Sequence, residues 1–394
     1  MKALILNASA RTAILRNIPQ PSPSPNDLLV QVHAISLNPI DPLYVAHPLG
    51  QSGRVIGSDF AGTVVALGAN VPLSSNLVVG ARVAGFLQGA CSANERPGAF
   101  AEYVVVPWDL VWRVPDAVSM EEAAGVSLVG LTAAQAIWCR LGMVAPFTYD
   151  TEADLREEHV DWEREAGEGD DGHGTVNVLV YGASTSVALY AAQMIRLSAK
   201  ASGKSVTLLG TARKARWAFL KAQPYYYDYV VDYRDADWQQ QIKQLTGDAG
   251  VQYAFDCISE GESVERVCST LARNGRLAIV RSREGGAWTA NNLPVEPSYG
   301  AVWEGLGEEV QYQGFTVKRS PAARAFAVAF YKWLCTAVGS EINVAPVRLM
   351  PGGLEKVVED GFRLLGTGDM QDRVQQRGEE WMRPVSAEKL VYIL

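Results

Sequence analysis

Histidine and cysteine are scarce in this chain of 394 residues, and neither occurs at ligand spacing. Four histidines stand at positions 33, 47, 159 and 173, and none pairs with a cysteine as a metal site requires. The five cysteines, Cys91, Cys139, Cys257, Cys268 and Cys335, are odd in number and scattered, with no Cys-x-x-Cys pair. They support neither a disulfide framework nor a cysteine zinc site. Long apolar runs are missing too, so no segment reads as a membrane span. Basic excess is absent: the net charge of −8 argues against nucleic acid, whose phosphates need a basic face. The opening Met1-Lys-Ala-Leu-Ile-Leu6 reads as a short strand, without the features of a signal peptide. A soluble, cytoplasmic protein is expected.

The length suits two domains. Residues 1–131 are rich in β signals: Leu28-Leu-Val-Gln-Val-His-Ala-Ile35 and Gly62-Thr-Val-Val-Ala-Leu67 alternate with period two, punctuated by glycine and proline. From 132 to 339 the character changes. Strands are expected at Val178–Tyr181, Ser205–Leu209, Tyr229–Asp232, Tyr253–Asp256 and Arg276–Val280, separated by helical stretches. That alternation predicts an α/β, doubly wound parallel sheet. Residues 340–394 carry a helix from Gly353 to Leu365 and a terminal strand, Lys389–Leu394, expected to return to the first domain's sheet. The expected organisation is a 132–339 domain inserted within a split β-rich domain. Two polar inserts stand out. One, near 149–171, is dominated by Asp and Glu and reads as a surface loop. The other, Asp369–Arg383, reads as a solvated helix.

The most informative stretch is Asn177-Val-Leu-Val-Tyr-Gly-Ala-Ser-Thr-Ser186 with its continuation to Arg196. A buried strand feeds a small-residue turn, Gly182–Ser186, and then an apolar helix from Val187 to Leu197. This is the first unit of a dinucleotide fold, whose helix N-terminus offers N–H groups to a pyrophosphate. The G-x-G-x-x-G fingerprint is altered to Gly182, Ser184 and Val187, so an ordinary buried βα unit also fits. The second strand, Val206-Thr-Leu-Leu209, runs into Gly210-Thr211-Ala212-Arg213-Lys214 and carries no acid. An acid at that point binds a ribose 2′-OH, whereas cations accommodate a 2′-phosphate. A basic first turn of a surface helix is the alternative.

Further motifs are Ser36-Leu-Asn-Pro-Ile-Asp41, Ile56-Gly-Ser-Asp-Phe-Ala-Gly-Thr-Val-Val65, Val79-Gly-Ala-Arg-Val-Ala-Gly85, Gly98-Ala-Phe-Ala-Glu-Tyr103, Phe255-Asp-Cys257 and Glu388-Lys-Leu-Val391. With Tyr181-Gly-Ala-Ser-Thr-Ser186, this series resembles the medium-chain dehydrogenase/reductase superfamily over nearly the whole chain. The Ser-Thr-Ser turn is similar to one branch, the fungal trans-acting enoyl reductases of polyketide synthases (lovastatin enoyl reductase type). The resemblance implies a GroES-like β-rich catalytic domain and a Rossmann NADPH domain. The superfamily's zinc members carry Gly-His-Glu where this chain has Gly57-Ser58-Asp59, and their lobe of clustered cysteines is missing. No functional metal is therefore expected.

By resemblance, Thr185, Ser186, Val187 and Ala188 line the pyrophosphate turn, and Thr211, Ala212, Arg213 and Lys214 face the 2′-phosphate. Tyr233 packs on the adenine end, or is a sheet-edge aromatic. Val280 and Arg281 approach the nicotinamide, and Gly314, Phe315 and Thr316 flank that ring at the substrate side. Glu388 and Lys389 close over the cofactor. Ile40, Asp41 and Leu43 belong to the active-site rim, where related enzymes have a lysine in place of Leu43. Thr132 matches a threonine near the nicotinamide ribose. Ala133, Ala134, Ile137 and Trp138 form a wall of the acyl channel, or an ordinary helix core. Tyr44 reads either as a proton donor or as a packing tyrosine.

The implied reaction is conjugate reduction of an α,β-unsaturated thioester by NADPH on a polyketide synthase acyl carrier protein, with Arg281 and Arg283 as candidate carrier contacts. A quinone or enal reductase and a non-catalytic NADPH-binding protein are the competing readings. Monomer and homodimer both remain open.

Overall fold

The computed structural model describes residues 1–91, 94–149, 175–312, 314–370 and 377–394. The expected acidic insert beyond Tyr149 lies outside them. The chain forms two compact units, one of residues 1–129, 305–319 and 327–394, the other of residues 130–304 and 320–326.

In the first unit, β1 (Lys2–Asn7) and β2 (Thr12–Asn17) form an antiparallel pair. A larger sheet is built from β3 (Asp27–Ser36), β4 (Asp59–Leu67), β5 (Arg82–Phe86), β6 (Tyr103–Pro107) and β7 (Val111–Arg113). β3 alternates in sequence yet is buried almost throughout, because it pairs with β4 and β6, and its side chains meet a core containing Leu4, Phe60, Phe100 and Tyr392. His33 lies on its half-buried face, with Nε2 3.0 Å from Thr63 Oγ1.

The second unit holds β8 (Val176–Tyr181), β9 (Val206–Thr211), β10 (Tyr229–Val231), β11 (Val251–Asp256), β12 (Leu271–Ile279) and β13 (Ser298–Tyr299). All neighbours are parallel, in the order β10-β9-β8-β11-β12-β13. The first five strands fall where the sequence predicts them. Burial on both faces makes such strands read as continuous apolar runs: Leu179, Leu209, Ala254 and Leu277 join Trp238 and Val264 in one core.

The hairpin of β14 (Val310–Tyr312) and β15 (Phe315–Val317) belongs to the first unit. So does most of the helix Pro321–Ala337. These bounds differ from the expected 132–339 domain, and contacts between distant parts of the chain accompany the difference. Gln88 Nε2 donates to the Gln311 carbonyl at 2.9 Å, Tyr312 meets Tyr44 edge-on, and Tyr331 Oη donates to the Ser127 carbonyl at 3.3 Å. The chain then runs through β16 (Val347–Leu349) to β17 (Lys389–Ile393), which lies between β16 and β3 in the larger sheet, as the terminal motif implies.

Two helices differ in winding from expectation. The helix Ser127–Ala134 continues as a π-helix, Gln135–Arg140, and 353–365 passes from 3-10 to π to α geometry. Of the polar stretch 369–383, expected as a solvated helix, residues 371–376 lie outside the described residues. After them the turn Glu380–Met382 is strapped down by Arg348, which donates to the carbonyls of Trp381, Arg383 and Pro384 at 2.9, 2.6 and 3.1 Å.

Candidate cofactor and active site

The second unit's β8 ends in the small-residue turn that the sequence singles out. Gly182 sits at φ +74, and a Cβ there would come within 2.8 Å of Ile258 Cγ1, so the position needs glycine. Thr185 is the N-cap of the helix Ser186–Ser202: its Oγ1 accepts from Ala188 N at 3.3 Å. Ser186 is half-buried, and Val187 and Ala188 are buried in the first turn, which holds no acidic residue. A 17-residue helix with this N-terminus favours an anion. Thr185–Ala188 therefore fits a pyrophosphate.

The loops after β9 and β10 are tied together. Arg213 Nε donates to Tyr233 Oη at 3.0 Å, and the Lys214 backbone N–H donates to Asp232 Oδ2 at 3.4 Å. Arg213 and Lys214 are exposed, and Tyr233 is half-buried and meets Tyr181 edge-on. Thr211 departs from expectation. It is fully buried, and its Oγ1 accepts from Gly182 N at 3.0 Å, which turns it away from any 2′-phosphate. Ala212 is buried as well, its carbonyl taken by Trp217 Nε1 at 2.9 Å. Arg213 and Lys214, and in part Tyr233, stay open to solvent in these two loops.

At the ends of β11 and β12, Asp256 organises the turn. Its Oδ1 accepts from Ile258 N and Ser259 N, both at 2.8 Å, and its Oδ2 accepts from Ser263 Oγ at 2.7 Å. Burial pushes this carboxyl up to about 6. Ser259 Oγ in turn accepts from Val280 N at 3.0 Å, fixing the backbone where the nicotinamide is expected. Sequence reading includes Asp256 in the Phe255-Asp-Cys257 motif but gives it no role, although its Asp-x-x-Ser spacing is a turn signal. Arg281 and Arg283 do not form a free cationic patch. Arg281 pairs with Glu260; Arg283 lies 4.5 Å over the Trp288 ring and 3.5 Å from Glu296.

In the helix after Gly130, Thr132 is half-buried, while Ala133, Ala134, Ile137 and Trp138 are no more than 2% exposed. Trp138 Nε1 donates to Ser198 Oγ at 2.8 Å and its ring meets Phe147 edge-on. These four are packed as a helix core would be, the second of the two readings the sequence leaves open.

In the first unit the motifs around Asn38, Asp41, Ser58, Asp59 and Lys389 converge on one buried polar knot. Asp41 accepts from Asn38 N at 2.7 Å and from Ser58 Oγ at 2.8 Å. Asp59 accepts from Asn38 Nδ2 at 2.9 Å and Leu128 N at 3.0 Å. Lys389 Nζ donates to Asn38 Oδ1 at 2.6 Å and lies 3.5 Å from Asp59 Oδ2. Burial pushes Asp41 up to about 7 and raises Asp59, while it lowers Lys389. Two carboxylates and one ammonium thus share a site that water does not reach. Asp41 and Lys389, expected at the cofactor, have side chains spent on this knot; they position the backbone of β17 and of the helix Ile40–Ala46. Glu388 is paired with Arg348 and Arg383, so its carboxylate too is committed. Ile40 and Leu43 are half-buried, three residues apart on that helix. Tyr44 is 6% exposed, accepts from Gln88 Nε2 at 3.0 Å and packs on Tyr312, which favours the packing reading over the proton donor. Gly314 turns the β14–β15 hairpin at φ +93; Phe315 meets Tyr312 edge-on, and Thr316 Oγ1 accepts from Gln311 Nε2 at 3.1 Å.

The parallel six-stranded sheet with its capped phosphate turn, and the β-rich unit with its terminal strand, define a medium-chain dehydrogenase/reductase. The alcohol dehydrogenase GroES-like domain model matches residues 24–116, and the zinc-binding dehydrogenase model matches residues 190–297. The trans-enoyl reductase RAP2 of Pyricularia oryzae is 31% identical over 365 residues, covering 89% of this chain and 93% of that protein. The trans-enoyl reductase traG of Penicillium crustosum is 28% identical, covering 91% of each. The chain belongs to the medium-chain dehydrogenase/reductase family, in its fungal trans-enoyl reductase branch. The CurK enoyl reductase shares the fold at a TM-score of 0.67 and 16% identity, over 100% of this chain and 98% of that one. A mycobacterial protein complexed with NADPH shares it at 0.66 and 22%, over 100% of both chains.

Zinc does not fit the residues present. Ser58 stands where a ligand histidine would be and donates to Asp41; Asp59 is filled by Asn38, a backbone N–H and the Lys389 ammonium. Among the described residues, no group of three or more His, Cys, Asp or Glu is placed to hold a metal ion. Among them, too, no helix is long and apolar enough to cross a membrane.

Proposed function

We propose that this oxidoreductase is an NADPH-dependent, trans-acting enoyl reductase that reduces the α,β-double bond of an enoyl thioester carried by a partner polyketide synthase. The observation that carries the cofactor choice is the acid-free strand end of β9, with Arg213 and Lys214 exposed and Arg213 anchored on Tyr233. Guanidinium and ammonium groups stabilise a 2′-phosphate, and a bidentate arginine adds orientation. Bound NADPH supplies a hydride for the β-carbon of the substrate.

The chain's own part is to bind, orient and exclude water. Thr185 caps the helix whose N-terminus receives the pyrophosphate. Asp256 and Ser259 fix the Val280 backbone by hydrogen bonds, and that backbone would help to hold the nicotinamide end. Holding reacting carbons about 3–3.5 Å apart supplies much of such a rate enhancement. The enolate oxygen gains from donors positioned before the reaction begins. Solvent supplies the α-carbon proton in this reading, since Tyr44 is buried and packs edge-on against Tyr312.

The test has two arms. Kd for NADPH and NADH is measured in wild type and in Arg213→Ala. NADPH is expected to bind more tightly, with a loss of about tenfold or more in the variant, the usual scale for a charge-assisted contact; equal wild-type affinities sink the cofactor assignment. Turnover is then compared between enoyl-pantetheine thioesters and quinones. Enoyl reduction is expected, and turnover of quinones without enoyl thioesters identifies a quinone reductase instead.

A further inference from the structure

We propose that Arg234 is a cofactor-specificity residue: it masks the carboxylate of Asp232, which otherwise sits as an acid beneath the loop offered to a 2′-phosphate. The inference rests on the NADPH reading above, and it concerns a residue one strand away from the acid position that the sequence leaves empty.

Asp232 directly follows β10 and is 1% exposed. Its Oδ1 accepts from the backbone N of Arg234 at 3.1 Å and from its Nε at 2.9 Å; Oδ2 accepts from Nη2 at 2.6 Å. The same Oδ2 reaches the Lys214 backbone N–H, inside the loop after β9. These bonds from Arg234 hold the carboxyl down to about 2, so it is ionised at any working pH. The arrangement is one-sided: the Asp232 side chain is 2% exposed, and that of Arg234 is 56% exposed. A buried anion therefore touches the loop that carries Arg213 and Lys214, and an exposed cation covers it.

A carboxylate beneath the loop that follows the second strand repels a 2′-phosphate placed on that loop. Asp232, at the end of the third strand, places such a carboxylate against the Lys214 N–H. The Arg234 fork cancels it in bidentate geometry and leaves the two other cations net available.

The experiment is a titration of the full chain with NADPH and with NADH, read by nicotinamide fluorescence and needing no turnover. In Arg234→Gln, NADPH affinity is expected to fall about tenfold while NADH affinity holds or rises. Arg234→Lys keeps the charge and is expected to retain most of the preference. The double variant Asp232→Asn/Arg234→Gln removes the anion as well and is expected to recover NADPH binding. Because Lys214 and Arg234 are exposed, the tenfold effect is expected to shrink in high salt. An NADPH-to-NADH ratio unchanged in Arg234→Gln, or a loss equal on both cofactors, overturns the proposal. Equal affinities in wild type overturn the NADPH reading instead, and the change in ratio between variant and wild type still decides the role of Arg234.

Discussion

Asp41 shows how one residue takes a role that its motif does not announce. Its carboxyl is 4% exposed, receives two hydrogen bonds, and is pushed by burial up to about 7 from an ordinary value near 3.8. The groups facing it are Asn38 and Ser58 as donors, Asp59 as a like charge and Lys389 as the opposing one. A folded-state value above the unfolded one means the carboxyl adds stability in full below about 3.8, and that this contribution is lost as pH rises through about 7. Asp41→Asn is neutral at every pH and removes the dependence. The melting temperature of the variant relative to wild type is therefore expected to improve between pH 5 and pH 8. One pKa unit is worth about 1.4 kcal/mol, or roughly 2 °C or more for a chain of this size. A gap that is the same at both pH values would show that Asp41 is ionised in the fold throughout.

Among the elements, β17 carries the most structure per residue. It pairs antiparallel with β3 and parallel with β16, and Leu390, Val391 and Tyr392 are at most 1% exposed. Burying each such side chain stabilises by about 1.5–3 kcal/mol, so the strand's contribution is comparable with the net stability of a domain, about 5–15 kcal/mol. Val391→Pro removes a ladder donor from an interior strand and is expected to abolish soluble expression or cooperative unfolding. A soluble variant melting within about 2 °C of wild type would mean that the strand is dispensable. The position of β17 was legible from Glu388-Lys-Leu-Val391, and β8 to β12 were legible because strands buried on both faces are written as apolar runs. Other features leave no local trace. Nothing in the spacing of Thr211 says that its hydroxyl turns to Gly182, and nothing in 305–339 says that Gln311 will hold Gln88. The π-helical turn at Gln135–Arg140 and the Arg348 strap over 381–384 likewise depend on partners far along the chain. Polar convergence of that kind is decided by tertiary structure, and periodicity records only which face is apolar.

On the scale of the whole molecule, the question is where the charge balance lies. The chain is acidic overall, with a net charge of −8, and several of its cations are paired locally: Arg281 with Glu260, Arg348 with Glu388, Arg140 with Glu304 and Lys389 with Asp59. An acidic carrier domain would find no free field of positive charge at Arg281 and Arg283, so any docking there has to rest on shape and on the tethered chain. The same accounting bears on metal. In the first unit, the buried carboxylate of Asp59 is met by an internal ammonium, and removing one partner of such a buried pair typically costs about 3–5 kcal/mol. A divalent ion would have to displace Lys389 and find further ligands where Ser58 stands. Turnover of an enoyl thioester with NADPH, and the melting temperature, are therefore expected to be unchanged after exhaustive treatment with a strong chelator and unchanged again on adding zinc. The measurement is paired with Lys389→Met, which is expected to lower stability by those few kcal/mol because it strands Asp59 without its cation. Activity that vanishes with chelator and returns with zinc would overturn the metal-free reading of this chain.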